Sequence, residues 1–351
     1  MSRRVEPKVA VVILNYNGRG WLGNCLTSVL KSSYTDFDVC LIDNGSTDGS
    51  VEFVHRTFPT VKVVANPTNL GFPEAYNRAI TKVAREYIVL LNSDTEIRNY
   101  HWLEHLVSAA DEDNDVAAVA CKMVSMQDHQ ILLSVGGMGI PFWRGFVDIG
   151  MGEIDVGQYS EKFEPFAFCG GAALLRRSAF LEVGGFDDLL FLYLEDADIS
   201  WRLRMIGRTI TFAPEAVVAH IFSATFSGVE VNEAKLYFCH RNLLRSIVKN
   251  CGSSLRWALW NYFAFTLLIL LGFAVLEPRK ALAISKGLIW NVRFLRRTIA
   301  DRIRVQSRRI VDDQALLNIM YPKLPRHQST DHARLRHIFD ILFSKDQRLP
   351  H

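Results

Sequence analysis

VAVVILNYNGRGWLGNCL, residues 9–26, decides how the chain is read. It holds an apolar run, Val9–Leu14, then Gly18, Gly20 and Gly23 in the spacing G-x-G-x-x-G, then a helix-like pattern. Asp43 stands 20 residues beyond the last glycine, at the end of the next apolar run. Taken alone, this is nearly the fingerprint of a dinucleotide-binding unit. The spacing argues otherwise. In that unit the first glycine turns the chain directly at the strand end, so that a pyrophosphate sits on the next helix. Here Asn15, Tyr16 and Asn17 intervene and push Gly18 into a longer loop. The stretch after the acid, IDNGSTDGS, is a turn-forming polar loop with a helix cap at Asp48 or Ser50, unlike the short loop behind a ribose carboxylate. A dehydrogenase is therefore disfavoured.

Outward from this stretch, apolar runs alternate with helix-like periods. Strands are predicted at Val9–Leu14, Phe37–Ile42, Val61–Ala65, Tyr87–Leu91 and Val116–Cys121. Helices are predicted at Trp21–Lys31, Ser50–Phe58, Glu74–Val83 and Trp102–Ala110. In the first helix Trp21, Leu22 and Leu26 read as a core stripe. Such alternation implies βαβ units around a mostly parallel sheet, an α/β class that binds ligands beyond the carboxyl ends of its strands. Asn15, Asp43 and Asp94 all follow predicted strand ends and so share one expected rim. Residues 122–165 are Gly-rich and unpatterned. A second organised block follows: a strand at Ala172–Arg176, a helix at Ser178–Val183, a charged helix at Glu195–Ile206, and short strands at Thr209–Phe212 and Val217–His220.

The formal charge of +3 hides an asymmetry. Residues 1–225 carry 28 acidic against 19 basic side chains, and residues 226–351 carry 21 basic against nine acidic. The basic half also holds WALWNYFAFTLLILLGFAVL, Trp257–Leu276, 20 residues without a charge. That length suffices to span a bilayer, but 16 Lys and Arg follow it, against the positive-inside tendency for a single span. A helix lying in the interface, or a re-entrant hairpin with Ala281–Leu295, is expected instead. Arg293, Arg296, Arg297, Arg302, Arg304, Arg308 and Arg309 would then face anionic headgroups, and no nucleic-acid partner is expected. A buried core helix is the alternative. The six cysteines show no C-x-x-C spacing, which suggests a reducing compartment without disulfides or a cysteine-built zinc site.

A series of polar punctuations carries the chemistry. VVILNYNG, LIDNGSTDGSVE, NLGFPEAYNRAI, YIVLLNSDTEI, FCGGAALLRRSAFLEVGGFDD, LYLEDADISWRLRMIG and PEAVVAH cover roughly residues 9–220. Together they resemble glycosyltransferase family 2, the inverting nucleotide-sugar transferases of GT-A fold, in its rhamnosyltransferase-like branch of bacterial polysaccharide synthesis. The resemblance implies a GT-A catalytic domain over residues 8–228 and a basic, apolar helical region over 229–351. It also implies roles. Asp196 would be the general base, and Asp94 and His220 ligands of a divalent cation, Mg²⁺ or Mn²⁺. Asp43 would hold the nucleoside, with Asn15, Asn69, Asn77 and Ser93 near the donor. The family's metal motif is commonly Asp-x-Asp, and here it reads Asn92-Ser93-Asp94; losing a carboxylate weakens a site for hard cations.

The chemistry explains the residue types. Inversion needs a carboxylate to take the acceptor's proton, and positive charge to stabilise the leaving diphosphate. The resemblance implies a nucleotide-diphospho-sugar donor, dTDP-rhamnose or a UDP-hexose, and a lipid-linked or polysaccharide acceptor at the cytoplasmic face of a bacterial membrane. A homo-oligomer stays open. Processive synthases carry a Gln-x-x-Arg-Trp signature and several spans, neither evident here, so single-residue addition is expected. A sugar nucleotidyltransferase would open with a lysine-bearing phosphate loop, unlike NYNGRGW. A non-catalytic nucleotide-sugar-binding subunit is the competing function. Asp198, four residues before Arg202, reads as an i,i+4 ion pair. Arg204 either approaches the diphosphate or caps a charged face.

Overall fold

The first apolar run forms strand β1 (Val9–Asn15), and its alternation feeds two separate cores. Val9, Val11 and Ile13 pack on α1 (Arg19–Leu30) and α4 (Trp102–Asp111), burying Leu22, Leu26, Trp102 and Leu106. Ala10 and Val12 face the opposite layer, where α3 (Gly71–Lys82) and α6 (Glu195–Met205) contribute Tyr76, Ile80, Ile199 and Leu203. The period-2 pattern of a strand thus builds a three-layer sandwich. The structure is a computed structural model and describes residues 8–140, 145–221 and 232–320.

The remaining strands are β2 (Phe37–Asp43), β3 (Lys62–Ala65), β4 (Tyr87–Asn92), β5 (Thr95–Ile97), β6 (Val116–Ser125), β7 (Leu132–Ser134), β8 (Gly137–Ile140), β9 (Gly145–Asp148), β10 (Ala172–Arg176) and β11 (Thr209–His220). The main sheet runs β3-β2-β1-β4-β10-β6-β11-β5, with β7 beside β6. Strands β3, β2, β1 and β4 are parallel, as are β6 and β11, while β10 and β5 run antiparallel to their neighbours. Two short helices, α2 (Ser50–Thr57) and α5 (Arg177–Glu182), complete this half. The unpatterned stretch forms β7 and the ribbon of β8 with β9.

Three expectations need correction. Trp21 is 43% exposed, so the core stripe of α1 is carried by Leu22, Cys25, Leu26 and Val29 without it. The two short strands near residues 209–220 are one strand whose register shifts between Ala213 and Val217. Pro214 lies in that interval and has no N–H to give the ladder. Arg204 is a buried side chain and not an exposed cap: it donates to the carbonyls of Pro165, Phe166 and Ile210 and pairs with Glu164 (3.3 Å).

Behind the sheet stand α7 (Glu233–Asn250), α8 (Leu255–Leu276), α9 (Pro278–Arg293), α10 (Leu295–Gln306) and α11 (Asp313–Met320). Leu243, Leu244 and Ile247 of α7 share an apolar cluster with Trp201 and Met205 of α6. A buried ionic net reinforces the seam. Arg245 donates to Asp187 (2.9 Å) and Asp301 (2.6 Å), and Lys249 bridges Asp187 and Asp198. Asp198 also takes the expected bond from Arg202 (2.9 Å). Asp187 and Asp198 lie well below the ordinary carboxylate range: burial opposes ionisation, but the neighbouring Lys249 and the guanidinium beside each outweigh it.

Candidate active site

Register brings the rim together. Asn15 lies beside Asp43 and Leu14 beside Asn92 where β1 pairs with β2 and β4, so three strand ends open on one crevice. Asn15 Nδ2 donates to Asp43 Oδ1 (2.9 Å) and Ser46 Oγ (3.1 Å), while the Ser46 amide donates to Asp43 Oδ2 (2.9 Å). Asn17, at φ 52°, receives the Thr47 amide on its side chain. The first and second loops are therefore interlocked. Asn15 Oδ1 is buried and has no hydrogen-bond partner among the described residues.

Only the first glycine of the opening motif is demanded by this geometry. A Cβ on Gly18 would collide with Asn15 Oδ1 and Ser93 Oγ, whereas one on Gly20 would meet nothing. Gly18 thus lets the first loop lie against Ser93 at the end of β4 rather than against a pyrophosphate. Asp48 holds both helix starts, accepting from the amides of Arg19 (2.9 Å) and Ser50 (3.1 Å). Its carboxyl lies below its ordinary value because these bonds and that of the Ser50 hydroxyl outweigh desolvation.

Asn44 ties in the third loop, and sequence reasoning passed over it. It is 2% exposed. Its amide donates to Asn69 Oδ1 (2.9 Å) and Gly71 O (3.2 Å), and its oxygen accepts from Asn66 Nδ2 and the Leu70 amide (3.1 Å each). Asn69 therefore shapes the loop. Asn77 is not brought to the rim: two turns into α3, its amide is committed to the Phe186 backbone, donating and accepting at 2.9 Å.

Asp94 and His220 meet because β5 pairs antiparallel with β11, setting Thr95 opposite His220. Asp94 Oδ1 lies 3.2 Å from His220 Nε2. Among the described residues no group of three His, Cys, Asp or Glu could hold a metal ion. The pair fits a cation that takes its remaining ligands from water and substrate phosphates, as Mg²⁺ sites commonly do. Gly170 and Gly171 connect this pair to Asp196. The Gly170 amide donates to Asp196 Oδ2 (2.9 Å), and a Cβ on Gly171 would sit 3.6 Å from the His220 ring. The Asn92 amide donates to Gly171 O (3.0 Å), closing the link to β4.

Three carboxyls on this side are perturbed. Burial pushes Glu195 up to about 8, with the Asp196 charge adding to it. Asp196 is raised by burial against the Gly170 and Ala197 amides. Asp148, at the end of β9, is pushed up to about 6 by burial and by Asp196. Sequence reasoning missed it too, because nothing in residues 122–165 marked its strand.

The mostly parallel sheet between two helical layers, with its polar strand ends on one rim, is that of the GT-A fold. The family model for glycosyl transferase family 2 matches residues 10–184, and the chain belongs to that family. Its sequence is 28% identical over 244 residues, 60% of this chain and 75% of the relative, to the N-acetylglucosaminyl-diphospho-decaprenol L-rhamnosyltransferase of Mycobacterium tuberculosis. It is 25% identical over 247 residues, 68% of this chain, to the O-antigen biosynthesis protein RfbC of Myxococcus xanthus, of which it spans 19%. Two solved structures share the fold. GalNAc-T7 with UDP, GalNAc and Mn²⁺ superposes with TM-score 0.57 at 18% identity, over 72% of this chain and 49% of that one. The mannosyltransferase PcManGT of Pyrobaculum calidifontis with GDP-Man and Mn²⁺ superposes with TM-score 0.51 at 19% identity, over 87% and 86%. Asp196 and His220 lie beyond the matched family region.

Proposed function

We propose that the chain is an inverting, non-processive glycosyltransferase that moves one sugar from a nucleotide-diphospho-sugar to a lipid-linked glycan. The observation that carries this is the Gly170-Gly171 backbone, hydrogen-bonded to Asp196 at Gly170 and leaving at Gly171 a space without a side chain that Met123 and the His220 ring border. It spans the gap between a base and a charge-stabilising pair, the two functions that inversion requires. The acceptor hydroxyl gives its proton to Asp196 as its oxygen attacks the anomeric carbon, and the bond to the diphosphate breaks. Burial and the neighbouring Asp196 charge push Glu195 up to about 8, so it keeps a proton more readily than an ordinary glutamate. Asp43 and Asn15 hold the nucleoside, with Asn69 and Ser93 shaping the donor loops. A divalent cation held by Asp94 and His220 would neutralise charge on the leaving diphosphate.

The L-rhamnosyltransferase relative supports a rhamnosyl donor, for which dTDP-rhamnose is proposed ahead of a UDP-hexose, and supports a polyprenyl-diphosphate-linked acceptor. Such an acceptor is confined to a membrane, and the exposed face of α8 supports attachment at the cytoplasmic surface. The test is nucleoside diphosphate release from UDP-, dTDP- and GDP-sugars with membrane-lipid extract as acceptor. Release from one donor, abolished by Asp196→Asn and by EDTA, is the expected result. A donor bound tightly but never cleaved would sink the enzyme reading, and activity surviving EDTA would discard the cation.

A further inference from the structure

The loop that delivers Asp196 is strained. Phe191, Tyr193 and Leu194 have φ of 62°, 68° and 65°, a left-handed conformation that non-glycine residues adopt rarely and keep only when their surroundings enforce it. The enforcement comes from α7, outside the matched family region. Asn242 is fully buried, and its Nδ2 donates to the carbonyls of Leu190 (3.0 Å), Leu192 (2.8 Å) and Tyr193 (2.7 Å). Arg241 Nη2 donates to Leu189 O (2.9 Å) and Leu190 O. Arg241 Nε also donates to Asn242 Oδ1 (2.8 Å), which fixes the amide with its two hydrogens toward the loop.

Both residues are themselves braced. The Arg241 guanidinium lies over the rings of Phe238 (4.7 Å) and Trp290 (4.6 Å), and Asn291 Nδ2 donates to its carbonyl (2.9 Å). On the other side Phe191 O accepts the Phe72 amide (2.8 Å) at the start of α3, beside the loop that Asn44 and Asn69 shape. A loop of unfavourable backbone is thus pinned between the donor side and α7.

We propose that Arg241 and Asn242 are positioning residues for the transfer: they hold Leu190–Leu194 in the conformation that brings the Asp196 carboxylate to the Gly170 amide. The proposal rests on Asp196 being the base. Full-length protein is assayed with donor and lipid acceptor, comparing Asn242→Ala, Arg241→Gln and Asp196→Asn with Leu244→Ala. Leu244 is a buried apolar residue of α7 that serves as a control for lost stability alone.

Asn242→Ala and Arg241→Gln lower kcat about 10²-fold, the usual scale for a small misplacement of a reacting group, with donor KM little changed. The acid limb of the pH–rate profile moves to higher pH, because a base that loses the Gly170 bond is harder to ionise. Amide exchange in residues 189–196 accelerates, while Leu244→Ala at a matched fall in melting temperature leaves kcat and the profile alone. Unchanged kcat in both clamp variants, or an equal loss in Leu244→Ala, overturns the proposal. Wild-type turnover in Asp196→Asn overturns the base assignment instead, and the exchange rates then decide separately whether the two residues hold the loop.

Discussion

Glu195 and Asp196 open the same helix, and their burial sets them apart. Glu195 is 6% exposed, its Oε2 has no hydrogen-bond partner among the described residues, and its carboxyl is pushed up to about 8. A carboxyl raised in the folded state holds a proton that the unfolded chain has already released. Stability therefore falls as pH rises from the ordinary glutamate value toward 8, and the full penalty is present above it. Glu195→Gln keeps the shape without the titration. Its melting temperature exceeds that of the native protein at pH 9, and the difference shrinks as pH falls toward 5; a constant difference across that range would contradict the assignment. Asp196→Asn is a different case, since it removes the proposed proton acceptor. It lowers turnover by about 10²–10⁴-fold, measured as nucleoside diphosphate release, with donor binding retained in calorimetry.

At the scale of elements, Asn44 shows how three loops become one site. Asn44→Ala strands the Leu70 amide and frees Asn69, costing about 1–3 kcal/mol for a buried group left unsatisfied. Denaturant unfolding measures that loss, and a raised donor KM should accompany it; an unchanged KM would separate the loop network from donor binding. These elements were legible to different degrees. Strands β1, β2 and β4 and helices α1, α3 and α4 stood out because long apolar runs and helical periods leave local signals. Their strand ends do lie side by side, with Asn15 paired to Asp43 and Leu14 to Asn92, two residues before Asp94. Strands β7 to β9 stayed hidden because strands of three or four residues are too short to show a period, and Asp148 was hidden with them. Asn44 lay within a quoted motif, but its partners come from loops 22 and more residues away. Pairing of that kind leaves no mark on local sequence. The clamp from α7 was invisible for the same reason.

Across the whole molecule, the C-terminal helices are joined to the catalytic half and also carry an exposed apolar face. Arg245 and Lys249 bury charge against Asp187, Asp198 and Asp301, so α7 and α10 are built into the catalytic half. The arginines expected at a lipid surface divide accordingly. Arg302 and Arg309 donate to the carbonyls of Cys251 and Asn250, Arg308 to that of Glu182, and Arg297 and Arg304 pair with Asp301. Arg302, Arg308 and Arg309 thus fasten one element to another, whereas Arg297 and Arg304 pair only within α10 and stay 54% and 69% exposed, facing outward with Arg279, Lys286, Arg293 and Arg296. Removing all residues after 229 would expose the ionic net and cannot report on membranes alone. The face of α8 can. Ala258, Tyr262, Thr266, Ile269 and Phe273 turn inward, while Trp260, Leu268, Leu271 and Val275 are 71%, 67%, 58% and 83% exposed. Each large side chain moved from water into an acyl layer gains about 1.5–3 kcal/mol. The triple variant Trp260→Ser, Leu268→Ser, Val275→Ser therefore weakens binding to anionic vesicles by at least about 10²-fold, read by co-sedimentation. Its turnover falls on a membrane-embedded acceptor, where confinement of both partners raises their effective concentration. On a short-chain, water-soluble acceptor it keeps native turnover, because none of the three residues touches the crevice. Equal losses on both acceptors would mean that this face supports the fold and not the membrane.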